Sequence, residues 1–324
     1  MKKFLLIFLL ALASLSGCSR NNDDAATNTS AASHNEAPQS SVPSVEQDPE
    51  VPLLWRATSP VGQTMYLFGS IHAADASIYP LPNFIMDAFH RSDYLAVEVN
   101  TYAFEQDLAA QMEFAFRMLY LDGRTIVDDI GEDLHARATA VLVEQGFSPG
   151  FYDGFKPYAW WSLLLLLAVQ EAGMDAEYGL DLYFIRAAVE RGMEILEVES
   201  MDLQMDVLLG FSPELSAFML EESLDIEAAA EGLLIMYDAW KRGDEQLLID
   251  LFEYEYSGMP THLWEEYNNA LLIQRDIDMT EIARQFMAEG RKVFYVVGLA
   301  HLIGQDSVIY LLMQEGYAIE RIWP

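Results

Sequence analysis

Two apolar runs near opposite ends of the chain each finish on Gly-x-x-His, and they constrain the fold more than any other feature. The first is YLFGSIH at residues 66–72, and the second is VFYVVGLAH at residues 293–301. A short, unbroken apolar run marks a strand covered on both faces, which is the usual state of strands inside a parallel sheet. Neighbouring parallel strands need long crossover connections, usually helical. Most of the chain lies between the two runs and supplies such connections.

Further strand patterns are LLWRAT (53–58), DYLAVEVN (93–100), MEILEVES (193–200) and YAIERIW (317–323). Helical spacing runs through 81–92, 104–121, 132–146, 179–192, most of 201–290, and 307–316. The segment 157–173 is strongly apolar but too short to span a bilayer, so it reads as a buried helix. Strands alternating with helices predict an α/β domain over 51–324, with a mostly parallel central sheet and a large helical insertion over about 101–290.

The N-terminus has the form of an export signal. Lys2 and Lys3 precede the apolar run 4–15, which ends in Leu15-Ser16-Gly17-Cys18. That ending resembles a bacterial lipobox, which implies lipidation of Cys18, the only cysteine in the chain. Residues 19–50 carry almost no large apolar side chains and read as a flexible tether. Ser19 follows the cysteine where an inner-membrane lipoprotein would carry aspartate, so the expected place is the cell envelope, anchored in the outer membrane and facing the periplasm. The formal net charge is -33, from 51 acidic and 18 basic residues, which argues against a nucleic-acid partner and against a polybasic membrane patch.

In α/β sheets, ligands bind beyond the carboxyl ends of parallel strands. The polar residues ending apolar runs are His72, Glu98, Glu197 with Glu199, and His301. Strand alternation places Glu197 and Glu199 on one face. Imidazole with carboxylate suits zinc, manganese, iron or cobalt, and the same set serves general acid-base chemistry. Gly69, Gly298 and Gly304 lack side chains, so the backbone there either turns sharply or approaches a ligand closely. Asp306 or Ser307 is placed to cap the following helix. His34, His90, His135 and His262 sit among polar neighbours and read as ordinary tether, surface or packing residues. Walker, nucleophile-elbow and His-Glu-x-x-His patterns are missing from the sequence.

The sequence resembles the TraB/GumN family. The resemblance is carried by Leu-Trp-Arg (54–56), Tyr-Leu-Phe-Gly-Ser-Ile-His (66–72), Tyr-Pro-Leu-Pro (79–82) and Ala-Val-Glu-Val-Asn (96–100). It continues in Lys-Pro-Tyr-Ala-Trp (156–160), Gly-Leu-Asp (179–181), Leu-Glu-Val-Glu-Ser (196–200) with Gln204, Trp240 with Gly243, Arg-Asp (275–276), Val-Gly-Leu-Ala-His-Leu-Ile-Gly (297–304) and Gly-Tyr (316–317). That family includes TIKI-type metalloproteases and is related to erythromycin-esterase-like and haem-binding ChaN-like proteins. The resemblance implies a site formed by His72, His301 and Glu98, with Glu199 as a second acid and Arg275 as a clamp for a carboxylate or oxyanion. It implies a divalent metal, Mn, Co or Zn, and a peptide or small-molecule substrate. Its relatives also allow a metal-independent esterase-like hydrolase or a haem-binding protein without turnover. Ser70, Asp276 and Tyr158 stand where threonine, asparagine and tryptophan are common.

Overall fold

The two Gly-x-x-His runs become adjacent strands. The computed structural model describes residues 50–148, 150–255 and 258–324; the signal segment, Cys18 and all but the last residue of the tether lie outside the described residues. Six strands form one sheet: β1 (Leu54–Thr58), β2 (Thr64–Ser70), β3 (Tyr94–Val97), β4 (Glu194–Glu197), β5 (Val293–Gly298) and β6 (Ala318–Arg321). Their order is β4-β3-β5-β2-β1-β6. The four strands β4, β3, β5 and β2 pair in parallel, and β1 runs antiparallel to both β2 and β6. The fold is α/β, with a mixed and mostly parallel sheet among many helices. β5, near the end of the chain, is inserted between β2 and β3 from its beginning.

The middle of the sheet is apolar on both faces, as the unbroken runs require. Phe68 of β2 stacks on Phe294 of β5 with ring centroids 5.8 Å apart. Phe184 meets both, at 5.5 Å from Phe68 and 4.9 Å from Phe294, and so fastens the helix Leu180–Arg191 to one face. That helix stops at Gly192, whose φ of 64° is the left-handed conformation that glycine adopts without strain. The helix Pro157–Glu171 is buried along most of its length, as its composition predicts.

The helical residues between β3 and β5 form two blocks, since β4 lies between them at the sheet edge. The pattern over 104–121 resolves into two helices, Thr101–Gln106 and Leu108–Arg117, because Asp107 ends the first and caps the second through Ala109 and Ala110 N–H. Among the described residues, no helix is long and apolar enough to cross a membrane.

Candidate active site

The carboxyl ends of the four parallel strands bring His72, Glu98, Glu199 and His301 to one rim. His72 follows β2, Glu98 follows β3, Glu199 follows β4, and His301 closes a short turn after β5. The two acids of MEILEVES separate. β4 ends at Glu197, which is exposed and accepts from Asn100 N–H at 2.9 Å, whereas Glu199 turns inward and is buried. Alternation therefore does not keep them together, because the strand stops between them.

Burying Glu98 and Glu199 demands partners. Arg275 supplies them. Its Nε donates to Glu199 Oε1 at 2.7 Å, and its Nη2 donates to Glu199 Oε2 at 2.6 Å and to Glu98 Oε2 at 2.9 Å. Its Nη1 donates to Leu271 O at 3.1 Å. Gln204 Nε2 donates to both acids, at 3.1 and 3.0 Å. The other oxygen of Glu98 accepts from Gly298 N–H at 2.6 Å. Arg275 stands just past a π-helical turn, Asn269–Ile273, which rotates the residues after it relative to an unbroken α-helix. Arg275 and Asp276 are both only 3% exposed, although they are consecutive. Arg275 thus holds the two acids together.

Each histidine is backed by a carboxylate. His72 Nδ1 donates to Asp181 Oδ2 at 2.8 Å, and Ser70 Oγ donates to Asp181 Oδ1 at 2.7 Å. His301 Nδ1 lies 2.5 Å from Asp276 Oδ1. Such partners fix the ring and leave Nε2 facing outward. The Nε2 side of both rings converges over Gly298. A Cβ built on Gly298 would stand 3.2 Å from Glu98 Oε1, 3.5 Å from His72 Nε2 and 3.8 Å from His301 Cδ2. His301 Nε2 is 4.0 Å from Glu98 Oε1.

Asp181 reaches His72 because the loop after β2 is strapped to the start of its helix. Leu180 N–H donates to Ile71 O at 3.0 Å, and Ala74 and Asp175 exchange backbone hydrogen bonds. Gly179 lies so close that a Cβ there would meet His72 O at 2.4 Å.

The glycines divide by role. Neither Gly69 nor Gly298 makes a sharp turn with positive φ: Gly69 is paired inside β2, and Gly298 has φ -50° and ψ 136°. The missing side chain of Gly69 admits Leu299, whose Cδ1 would lie 2.3 Å from a Cβ there, so Gly69 serves packing. Gly298 is the close approach to the cradle. Gly304, at φ 84°, turns the chain toward Ser307, whose hydroxyl donates back to Gly304 O at 3.0 Å and caps the helix Val308–Gln314. His135 bonds to Asp153 and the exposed His262 to Glu214, and His90 ends the helix Asn83–His90, all outside this cluster.

The family model described as TraB/PrgY/gumN matches residues 53–321, which takes in the whole sheet. The chain belongs to this family. It is also 23% identical over 258 residues to a protein of Escherichia coli (strain K12) called uncharacterized protein YbaP, covering 79% of this chain and 90% of that one. A protein of the same name from Shigella flexneri matches to the same extent. No solved structure matches.

The cluster has uneven protonation. Burial works to lower the pKa of His72, yet the charge and hydrogen bond of Asp181, with Glu98 beyond, raise it to about 9; Arg275 opposes them. Burial, helped by Arg275 and His72, holds His301 well below the ordinary histidine range. Burial also pushes Asp276 up to about 9. Without a bound ion, His72 therefore favours its protonated form, His301 its neutral form and Asp276 its protonated form. Burial pushes Glu98 up as well, while Arg275 pulls it back.

A histidine whose pKa is raised on folding contributes stability in full below its unfolded value and loses it as pH rises through the folded one. Thermal melts of metal-free protein should accordingly fall as pH rises from 6.5 to about 9. The loss from His72 is on the order of 3 kcal/mol at most. Asp181→Asn removes that part, and the slope that remains comes from the raised carboxyls, Asp276 and Glu98, whose contributions also fall as pH rises. An unchanged slope in Asp181→Asn would show that the His72–Asp181 pair does not set it.

The donor types suit a divalent metal: two imidazoles, each anchored through Nδ1 to a carboxylate, and one carboxylate oxygen. Among the described residues, no three His, Cys, Asp or Glu side chains are already arranged as a metal-binding group. An apolar pocket of about 70 Å³ opens beside His72, Gly298 and His301. The sequence presents Asp181 and Asp276 only as motif residues, with no site role, and gives no sign of the Gly298 N–H contact. Both acids lie on helices and look like ordinary surface charges. Their only signal was position, next to Gly179 and Arg275 in motifs shared with the family.

Proposed function

We propose that this chain is a metal-dependent hydrolase, with peptides the first substrate class to test, lipid-anchored at Cys18 in the outer membrane and facing the periplasm. The observation that carries the reading is the convergence of His72 Nε2, Glu98 Oε1 and the His301 ring over Gly298, with a carboxylate behind each histidine. His72, His301 and Glu98 would hold the ion, Mn, Co or Zn, which when bound supplies Lewis acidity.

The chain's own groups have separate tasks. Asp181 and Asp276 aim the two imidazoles. Arg275, Gln204 and Gly298 N–H fix the Glu98 carboxylate, and Arg275 favours its ionised form. Glu199 holds Arg275 in place through two hydrogen bonds. The apolar pocket restricts water beside the histidines and so strengthens the electrostatics there.

Purified protein incubated with Mn, Co or Zn should cleave members of a peptide pool, read by mass spectrometry. His72→Ala and His301→Ala should each abolish cleavage, and so should a chelator. Cleavage that survives both substitutions ends this reading.

A second reading is metal-independent hydrolysis. The two His–Asp pairs favour it, since each has the geometry of an acid-base dyad. Cleavage that resists complete metal removal yet is lost in His72→Ala supports it. Haem is a poorer match, because about 70 Å³ is far below the roughly 300–1,000 Å³ of ordinary ligand pockets.

A further inference from the structure

The pocket beside the histidines has a wall that the chemistry above does not use. It is lined by Val169, Met174, Leu233, Met236, Trp240 and Leu248, together with His72, Gly298 and His301. Val169 and Leu248 are fully buried, and Leu233 and Trp240 nearly so. Trp240 is fixed by its Nε1–H, which donates to Gly69 O at 2.9 Å, so that wall is tied to β2.

A charged or amide group placed among these side chains would lose its hydrogen bonds to water without replacement. An apolar group loses nothing and gains contacts. The volume is about 70 Å³. That is roughly half of a cavity of about 150 Å³ that admits benzene. It matches a branched or straight aliphatic group and is small for an aromatic ring. Met174 and Met236 can adjust to the shape of such a group. A group seated here places whatever it is attached to against His72 and His301.

We infer that this pocket is the subsite for an aliphatic side chain next to the reacting bond, so that the preferred substrates carry a leucine-, isoleucine- or valine-like residue there. As a statement about substrates it rests on the hydrolytic reading; as a statement about binding it does not.

The test separates the two. Protein labelled with ¹³C-methyl methionine is titrated with N-acetyl-leucinamide, N-acetyl-phenylalaninamide and N-acetyl-aspartamide. Met174→Leu and Met236→Leu assign the two methyl signals. N-acetyl-leucinamide should shift both signals saturably, and bind about tenfold or more tighter than the other two compounds. Leu233→Trp, which fills the pocket, should remove the shifts. Leu248→Ala, which enlarges it, should move the preference toward phenylalanine by about tenfold, and it carries the test if Leu233→Trp does not fold.

Binding with this preference but no peptide cleavage upholds the pocket and ends the hydrolytic reading. Peptide cleavage at sites indifferent to aliphatic residues, with Leu248→Ala unchanged in pattern, ends the pocket inference and leaves hydrolysis standing. No shift at Met174 or Met236 with any compound also overturns it.

Discussion

Arg275→Ala should be the most damaging single substitution in the sheet's rim, costing about 3–5 kcal/mol of stability. Arg275, Glu98 and Glu199 are all nearly excluded from water, with Arg275 and Glu98 3% and 2% exposed. Removing the arginine leaves two carboxylates beside each other, with Gln204 and Gly298 N–H as the remaining donors named at them. A buried charge stripped of its partner is far costlier than the net gain from pairing it. Domains of this kind have only about 5–15 kcal/mol to lose. Denaturant titration should show a lower midpoint with an unchanged slope. The triple change Arg275→Met, Glu98→Gln, Glu199→Gln removes all three charges together and should recover most of the loss. Arg275→Ala within about 1 kcal/mol of the parent would mean that the cluster is wetter than its burial implies.

Gly298→Ala should do the reverse, sparing the fold and disabling the site. Its φ of -50° and ψ of 136° suit alanine, and its N–H to Glu98 survives the change. The added methyl, however, enters the space shared by Glu98 Oε1 at 3.2 Å and His72 Nε2 at 3.5 Å. Small displacements of reacting groups cost about 100-fold in rate. Ion binding measured by calorimetry, or cleavage once a substrate is found, should fall by at least about that factor, with a melting temperature close to the parent's. Undiminished ion binding and turnover would show that the chemistry lies elsewhere.

The sequence made the strand ends readable because a polar residue closing an apolar run is conspicuous. His72, Glu98, Glu199 and His301 were found in that way, and the parallel order of their strands followed from the helices between them. Burial of a helical acid gives no such contrast. Asp276 follows Arg275 on a helix where one of two consecutive residues would ordinarily face water, and the packed rim buries both. Asp181 looks like an acid favoured in the first turn of a helix, and its bond to His72 depends on a strap between segments far apart in sequence. Gly69 and Gly298 share one motif but not one task, since Leu299 fills the space over the first and Glu98, His72 and His301 surround the second. Local pattern cannot report what arrives from another strand.

The insertion of β5 between β2 and β3 also bears on when these side chains meet. During synthesis the N-terminal strands emerge first, and β2 and β3 have no common partner until β5 arrives to pair with both. His72 and Glu98 then have neither His301 nor the Gly298 amide to complete them. Contacts that close long loops form late in folding. The nascent chain therefore lacks the assembled cluster over nearly its whole length, and any fragment cut short before residue 293 lacks it too. The four side chains meet only in a chain that is complete through its fifth strand, a delay set by topology.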